Sequence, residues 1–148
     1  MPKKDKGLDI PEGYYIVKKY IDGDTFWLTN GVDDDFKVRL IGIDAPESRK
    51  TFKKEVGYFG KEAKEYVKKF LENQFIRLEY DVRKKDRYGR TLAYAYLYDG
   101  TFLNEHLIKN GYAVLMTVPP NVKYVDKFTK LQEYARENKL GLWNLELK

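Results

Sequence analysis

The sequence contains no cysteine, so disulfides, thiolate nucleophiles and cysteine-ligated zinc are excluded. Its one histidine, His106, excludes a histidine pair or a multi-histidine metal centre. No apolar run approaches the roughly 20 residues that cross a bilayer, so no membrane partner is expected. The basic opening Met1–Lys6 has no apolar stretch behind it, so no secretory signal is expected in this chain either, and the compartment is left open. Internal repeats and linkers are also missing. Any chemistry must therefore come from carboxylates, guanidiniums, amines and phenols.

A length of 148 residues, 43% hydrophobic and 34% charged, suits one globular domain with a real core. The expected organisation is a basic flexible tail at 1–10 and a single domain at 11–146, expected to act as a monomer. Lysine and arginine number 28 against 23 aspartates and glutamates, a net charge of +5. Such a balance favours a polyanionic partner, because basic side chains meeting phosphates release counterions. Thirteen tyrosines add faces on which bases can stack, although most serve as core.

Several segments carry readable periodicity. From Tyr14 to Leu28 the chain is β-branched and aromatic, interrupted by the turn signal Asp22-Gly23-Asp24. Asn30-Gly31 marks a hairpin turn. Phe36, Val38 and Leu40 alternate with Lys37, Arg39 and Ile41, which predicts a strand ended by Pro46 and a lysine-rich loop through Lys54. Phe59, Ala63, Tyr66, Val67, Phe70 and Leu71 fall at helical spacing. Strands are expected at Ile76–Val82 and Leu92–Tyr98, a short helix at Asn104–Asn110, and a third helix carrying Tyr124, Phe128, Leu131 and Ala135. The predicted fold is α+β, mainly β: a five-stranded, OB-fold-like antiparallel barrel with three helices.

Ionisable groups concentrate at three turns: Asp22-Gly23-Asp24-Thr25, Asp44-Ala45-Pro46-Glu47 following Arg39, and Asp86-Arg87-Tyr88-Gly89-Arg90. Asp24, Asp44 and Glu47 are oxygen donors of the kind a hard cation prefers. They can equally be plain turn residues, and spacing alone does not force them to converge. Arg39 either covers the barrel with its stem or points its guanidinium into a site at the strand's end. Arg90 follows a glycine in a turn that can present it freely. Guanidinium forks match phosphate oxygens in bidentate geometry.

Taken in order, Asp22-Gly23-Asp24-Thr25, Arg39 with Asp44-Ala45-Pro46-Glu47, Tyr88-Gly89-Arg90 with Leu92-Ala93-Tyr94, Asn104-Glu105 and Leu142-Trp143 resemble the staphylococcal nuclease (thermonuclease) family over nearly the whole chain. The resemblance implies a calcium-dependent phosphodiesterase acting on DNA and RNA and leaving 3′-phosphorylated products. It also implies one calcium ion held by the Asp24 and Asp44 carboxylates and the Ala45 main-chain carbonyl. Glu47 would act on the attacking water, Arg39 and Arg90 would hold the scissile phosphate, and Arg87 and Tyr88 would line the nucleotide site. Members of the family are often secreted or exported. Two departures stand out. Alanine occupies position 45, where threonine is usual, and Leu115-Met116-Thr117-Val118 replaces a tyrosine-bearing stretch; Thr117 cannot stack on a base.

The alternative is a non-catalytic nucleic-acid-binding module built on the same fold. Such a module has no need to keep Arg39, Glu47 and Arg90 together with Asp24 and Asp44, as this chain does. A protein-interaction barrel gains nothing from the basic charge. His106 has no acidic or hydroxyl partner at suggestive spacing, and Glu105 is read as a structural hydrogen-bonding group.

Overall fold

The computed structural model describes residues 9–46 and 59–144. The expected tail up to residue 8, the lysine-rich loop and Glu47 lie outside the described residues. The elements are β1 (Ile16–Asp22), β2 (Thr25–Thr29), β3 (Phe36–Leu40), β4 (Ile43–Asp44), α1 (Gly60–Leu71), β5 (Ile76–Glu79), β6 (Thr91–Leu97), α2 (Leu103–Lys109), β7 (Val114–Leu115) and α3 (Val125–Glu137), followed by a 3-10 turn at Gly141–Trp143.

Five strands form one sheet in the order β1-β2-β3-β6-β5. The pairs β1–β2, β2–β3 and β5–β6 are antiparallel. The β3–β6 pair is parallel, which corrects the all-antiparallel expectation. Helix α1 and strand β5 both lie in the connection between them, and so long a crossover lets β6 return in the direction of β3. The sheet is not closed as a ladder. Its edges touch at one bridge, where Tyr15 and Ile76 exchange two N–H···O bonds of 2.8 Å. A second, two-residue pairing joins β4 to β7, with Ile43 opposite Leu115 and Asp44 opposite Val114.

Alternation places Phe26, Leu28, Val38 and Leu40 in the core, where they meet Tyr94, Leu103, Leu107 and Phe128. Helix α1 contributes Ala63, Val67 and Leu71, one residue per turn on a single face. Asn104 is wholly buried on α2, and both ends of its amide are satisfied. Its Nδ2 donates to the Ile41 carbonyl at 2.8 Å, and its Oδ1 accepts the Ala95 N–H at 2.9 Å. This one side chain therefore ties α2 to β6 and to the end of β3.

Helix α3 is docked by carboxylates of β5 and the segment after it. Glu79 accepts from the hydroxyls of Tyr96 (2.8 Å) and Tyr124 (2.9 Å) and pairs with Lys123. Asp81 accepts from the Tyr94 hydroxyl at 2.6 Å and the Val82 N–H at 2.7 Å. Burial opposes ionisation of both acids, but these hydrogen bonds outweigh it and hold both carboxyls below the usual carboxylate range. Because the folded values are depressed, this contribution to stability is complete above the unfolded-state value of about 4 and is lost as pH falls through the folded ones. The urea midpoint is therefore expected to drop below about pH 4. Glu79→Gln should lower the midpoint at neutral pH and flatten that acid slope; an acid slope identical to that of the parent chain would remove Glu79 from the account.

Candidate active site

The turn between β1 and β2 lies against the segment after β4. Its Gly23 packs so closely that an added Cβ would sit 3.0 Å from the Ala45 Cβ. Asp24 follows, only 4% exposed. Its Oδ1 accepts from the Thr25 hydroxyl at 2.8 Å and its Oδ2 from the Ala45 N–H at 2.7 Å. The Asp24 carbonyl accepts the Leu40 N–H at 2.9 Å, so one residue joins the ends of three strands.

Arg39 sits opposite Thr25 in register, between the buried Val38 and Leu40. Its side chain turns under the β3–β4 connection. There Nη1 donates to the carbonyls of Leu40 (2.7 Å) and Ile43 (2.8 Å), while Nη2 donates to Asp44 Oδ1 at 3.1 Å and lies 3.5 Å from Asp24 Oδ2. Of the two orientations open from sequence, the guanidinium therefore takes the inward one. The connection can present both carbonyls because it turns at Gly42, whose φ of +84° favours glycine and whose added Cβ would fall 2.6 Å from Phe128 Cε2.

Arg90 is held by its own loop. Asp86 Oδ1 accepts the N–H groups of Tyr88 (3.0 Å) and Arg90 (2.9 Å), and Asp86 Oδ2 accepts from Arg90 Nε at 2.8 Å. Burial works against the Asp86 charge, but the Arg90 backbone and guanidinium prevail and keep its carboxyl below the usual range. Arg90 is thus clamped at Nε by an acid four residues back, where a freely presented side chain was expected. In sequence Asp86 is only the first residue of the third ionisable turn, with no role of its own, although aspartate three residues before a glycine is a turn-forming signal.

Arg39 and Arg90 line one cavity of about 480 Å³, joined by Arg83, Arg87, Tyr88 and Met116. Four guanidiniums against one lining carboxylate, Asp86, give the cleft a net positive lining suited to phosphate groups. Tyr88 is 70% exposed, with the guanidiniums of Arg87 and Arg90 at 5.2 and 5.6 Å from its ring centre. Arg87 Nη2 also donates to the Tyr88 hydroxyl at 3.1 Å. In the stretch that departs from the family, Met116 and Val118 face the cavity, and Met116 Sδ lies 3.7 Å from Arg39 Nη2. Thr117, the residue singled out from sequence, is not part of the lining.

Among the described residues, no group of three or more acid, histidine or cysteine side chains converges as a metal cage. What does converge is two carboxylates, Asp24 and Asp44, on one guanidinium group, with Ala45 adjacent. Each Asp24 oxygen keeps a lone pair beyond the hydrogen bond it accepts, and the Asp44 side chain is half exposed. An oxygen-only set with open positions fits a hard divalent cation that retains part of its water shell.

His106 and Glu105 stand apart from this cavity. Tyr66 Oη and His106 Nε2 are 2.6 Å apart, and Glu105 pairs with Lys127 at 2.7 Å, so both serve packing between helices.

Residues 37–145 match the family described as staphylococcal nuclease homologue. The chain is 43% identical over 142 residues to the thermonuclease of Staphylococcus intermedius, covering 96% of this chain and 83% of that protein. Against the thermonuclease of Staphylococcus hyicus the identity is 43% over 147 residues, with coverage of 97% and 83%. The endonuclease YncB of Bacillus subtilis is 37% identical over 131 residues, or 86% of this chain and 60% of that protein.

Proposed function

We propose that this chain, which belongs to the staphylococcal nuclease homologue family, is a calcium-dependent nuclease that hydrolyses phosphodiester bonds of DNA and RNA to 3′-phosphorylated products. The observation that carries this reading is the meeting of Arg39 and Arg90, from a strand and a distant loop, in one arginine-lined cavity beside the Asp24–Asp44 pair. The open sheet with its edges bridged at Tyr15 and Ile76 is read as a barrel of the OB type.

In the mechanism, the two guanidiniums bind non-bridging oxygens of the scissile phosphate from two sides. Their charge is placed before substrate arrives, so it stabilises the extra negative charge of the pentacoordinate transition state without reorganisation. Asp86 holds Arg90 by Nε, which leaves its Nη groups for the phosphate. Glu47 accepts a proton from the attacking water, a contribution of roughly 10²–10⁴-fold. Asp24, Asp44 and the Ala45 carbonyl would hold one calcium ion, which supplies Lewis-acid polarisation of a phosphate oxygen. Arg87 and Tyr88 flank the rest of the nucleotide.

The test is cleavage of single-stranded DNA and of RNA with calcium, repeated after chelation. Cleavage is expected in calcium and should fall by on the order of 10²-fold or more in chelator, because metal stabilisation of the transition state amounts to several kcal/mol. Cleavage undiminished by chelator would reject the metal assignment. Salt-sensitive binding with no cleavage under any condition would establish the non-catalytic module instead.

A further inference from the structure

The chain's sulfur chemistry is reduced to two methionines, Met1 and Met116, and no cysteine. Among the described residues, Met116 is therefore the one site open to thioether oxidation. It is 43% exposed and lines the arginine cavity, with Sδ 3.7 Å from Arg39 Nη2. Its backbone is fixed there, because the Met116 N–H donates to the Gly42 carbonyl at 2.9 Å, directly beyond the β4–β7 pairing. This holds the Met116 Cα at the cavity rim, from which the thioether reaches the guanidinium.

From this placement the geometry points to Met116 as an oxidation site at which a hydroperoxide switches down phosphate binding by Arg39. The sulfur lone pair attacks the hydroxyl oxygen of the peroxide and the O–O bond breaks; the transferred oxygen gives up its proton, and the other oxygen takes up that proton and leaves as water from hydrogen peroxide or as the alcohol from an organic hydroperoxide. The thioether is oxidised by two electrons to the sulfoxide and the peroxide is reduced by two. A thioether is a weak acceptor, whereas a sulfoxide oxygen is a strong one. Projecting from a sulfur already in contact with Nη2, the new oxygen competes for the donor that would otherwise grip a phosphate oxygen. The change is chemically reversible, because methionine sulfoxide reductases return the thioether. The inference rests on Arg39 being a phosphate ligand, as proposed above.

The experiment compares the whole chain before and after hydrogen peroxide, with mass spectrometry confirming one added oxygen at Met116. Nuclease rate and the affinity for a nucleoside 3′,5′-bisphosphate, measured by calorimetry in calcium, are then read on both forms. Oxidation is expected to lower kcat/KM by about 10- to 100-fold and to weaken bisphosphate binding, with reductase treatment restoring both. Met116→Leu is expected to show the same rate with and without peroxide, which assigns the effect to this sulfur and not to Met1. Unchanged affinity and rate at full oxidation of Met116 would overturn the inference. So would an equal peroxide loss in Met116→Leu, or loss of the folded circular dichroism signal on oxidation. An unoxidised chain that cuts nothing would refute the nuclease reading instead, and bisphosphate affinity alone would then decide the role of Met116.

Discussion

Arg90→Ala is expected to lower kcat/KM on single-stranded DNA by on the order of 10²–10³-fold, about 2.7–4 kcal/mol of transition-state stabilisation. Arg39→Ala should lose a similar amount, and Glu47→Gln about 10²–10⁴-fold. The double variant Arg39→Ala with Arg90→Ala should fall short of the product of the single losses, because both charges act on one phosphorus. The two arginines should nevertheless differ in stability. Removing Arg39 strips hydrogen bonds from the Leu40 and Ile43 carbonyls and takes the guanidinium away from the buried Asp24 and from Asp44. Removing Arg90 leaves Asp86 with two backbone N–H donors. Asp86→Asn keeps an oxygen for the two backbone N–H groups but replaces the acceptor of Nε–H with an NH2 donor, which removes the clamp; it should reduce kcat by about 10-fold with its main effect on positioning rather than affinity. Three variants with near-parental turnover would dismiss these residues from the chemistry, whatever the cavity looks like.

How much of this was legible beforehand depends on the range of the forces involved. The alternation around Arg39 was plain, because Phe36, Val38 and Leu40 repeat with a period of two. The direction of its guanidinium was not, since that is decided by two carbonyls exposed in the β3–β4 turn and a carboxylate 15 residues earlier. The helices were visible through Ala63-Val67-Leu71 and through Phe128-Ala135, each buried on one face. Strands β4 and β7 are two residues each, too short to carry any periodicity. Yet their pairing brings Met116 beside Arg39, and it explains why sequence position pointed to Thr117 while the fold presents Met116.

Relation between strands was similarly hidden. The parallel pairing of β3 with β6 spans a connection that contains α1 and β5, so it is a property of the whole chain rather than of either strand. Arg90 shows the same limit at smaller scale. Its glycine turn was readable, but the competition between display and an ion pair with Asp86 is settled by backbone N–H groups that fix the carboxylate first. The resemblance implies a set of residues, and of that set the cavity brings together Arg39, Arg87, Tyr88 and Arg90. Only the geometry says which donor of each arginine remains for a ligand.

Gly111→Ala is expected to be among the most destabilising single changes in the chain, by on the order of 2–5 kcal/mol. Gly111 ends α2 with φ of +81°, where a Cβ costs about 1–2 kcal/mol in any setting. Here the setting adds a collision: an ideal Cβ would lie 2.1 Å from the Leu140 carbonyl oxygen and 2.5 Å from its carbon. Those atoms are backbone and cannot rotate away. They are also held in place, since the Leu142 N–H donates to the Gly111 carbonyl at 2.8 Å and the Leu140 N–H to the Ala135 carbonyl at 3.0 Å. Relief therefore requires the 3-10 turn at Gly141–Trp143 to separate from α2, which abandons that contact as well. Gly100→Ala is the control. Its φ of +94° carries comparable strain, but nothing lies within 4 Å of the added carbon. Urea unfolding of both variants separates conformational strain from the clash. Against a total stability of about 5–15 kcal/mol for a domain, the Gly111 variant should lose a large fraction and the Gly100 variant little more than the strain alone. Equal midpoints for the two would mean that the close backbone contact between the end of α2 and the 3-10 turn at Gly141–Trp143 does not hold the fold together.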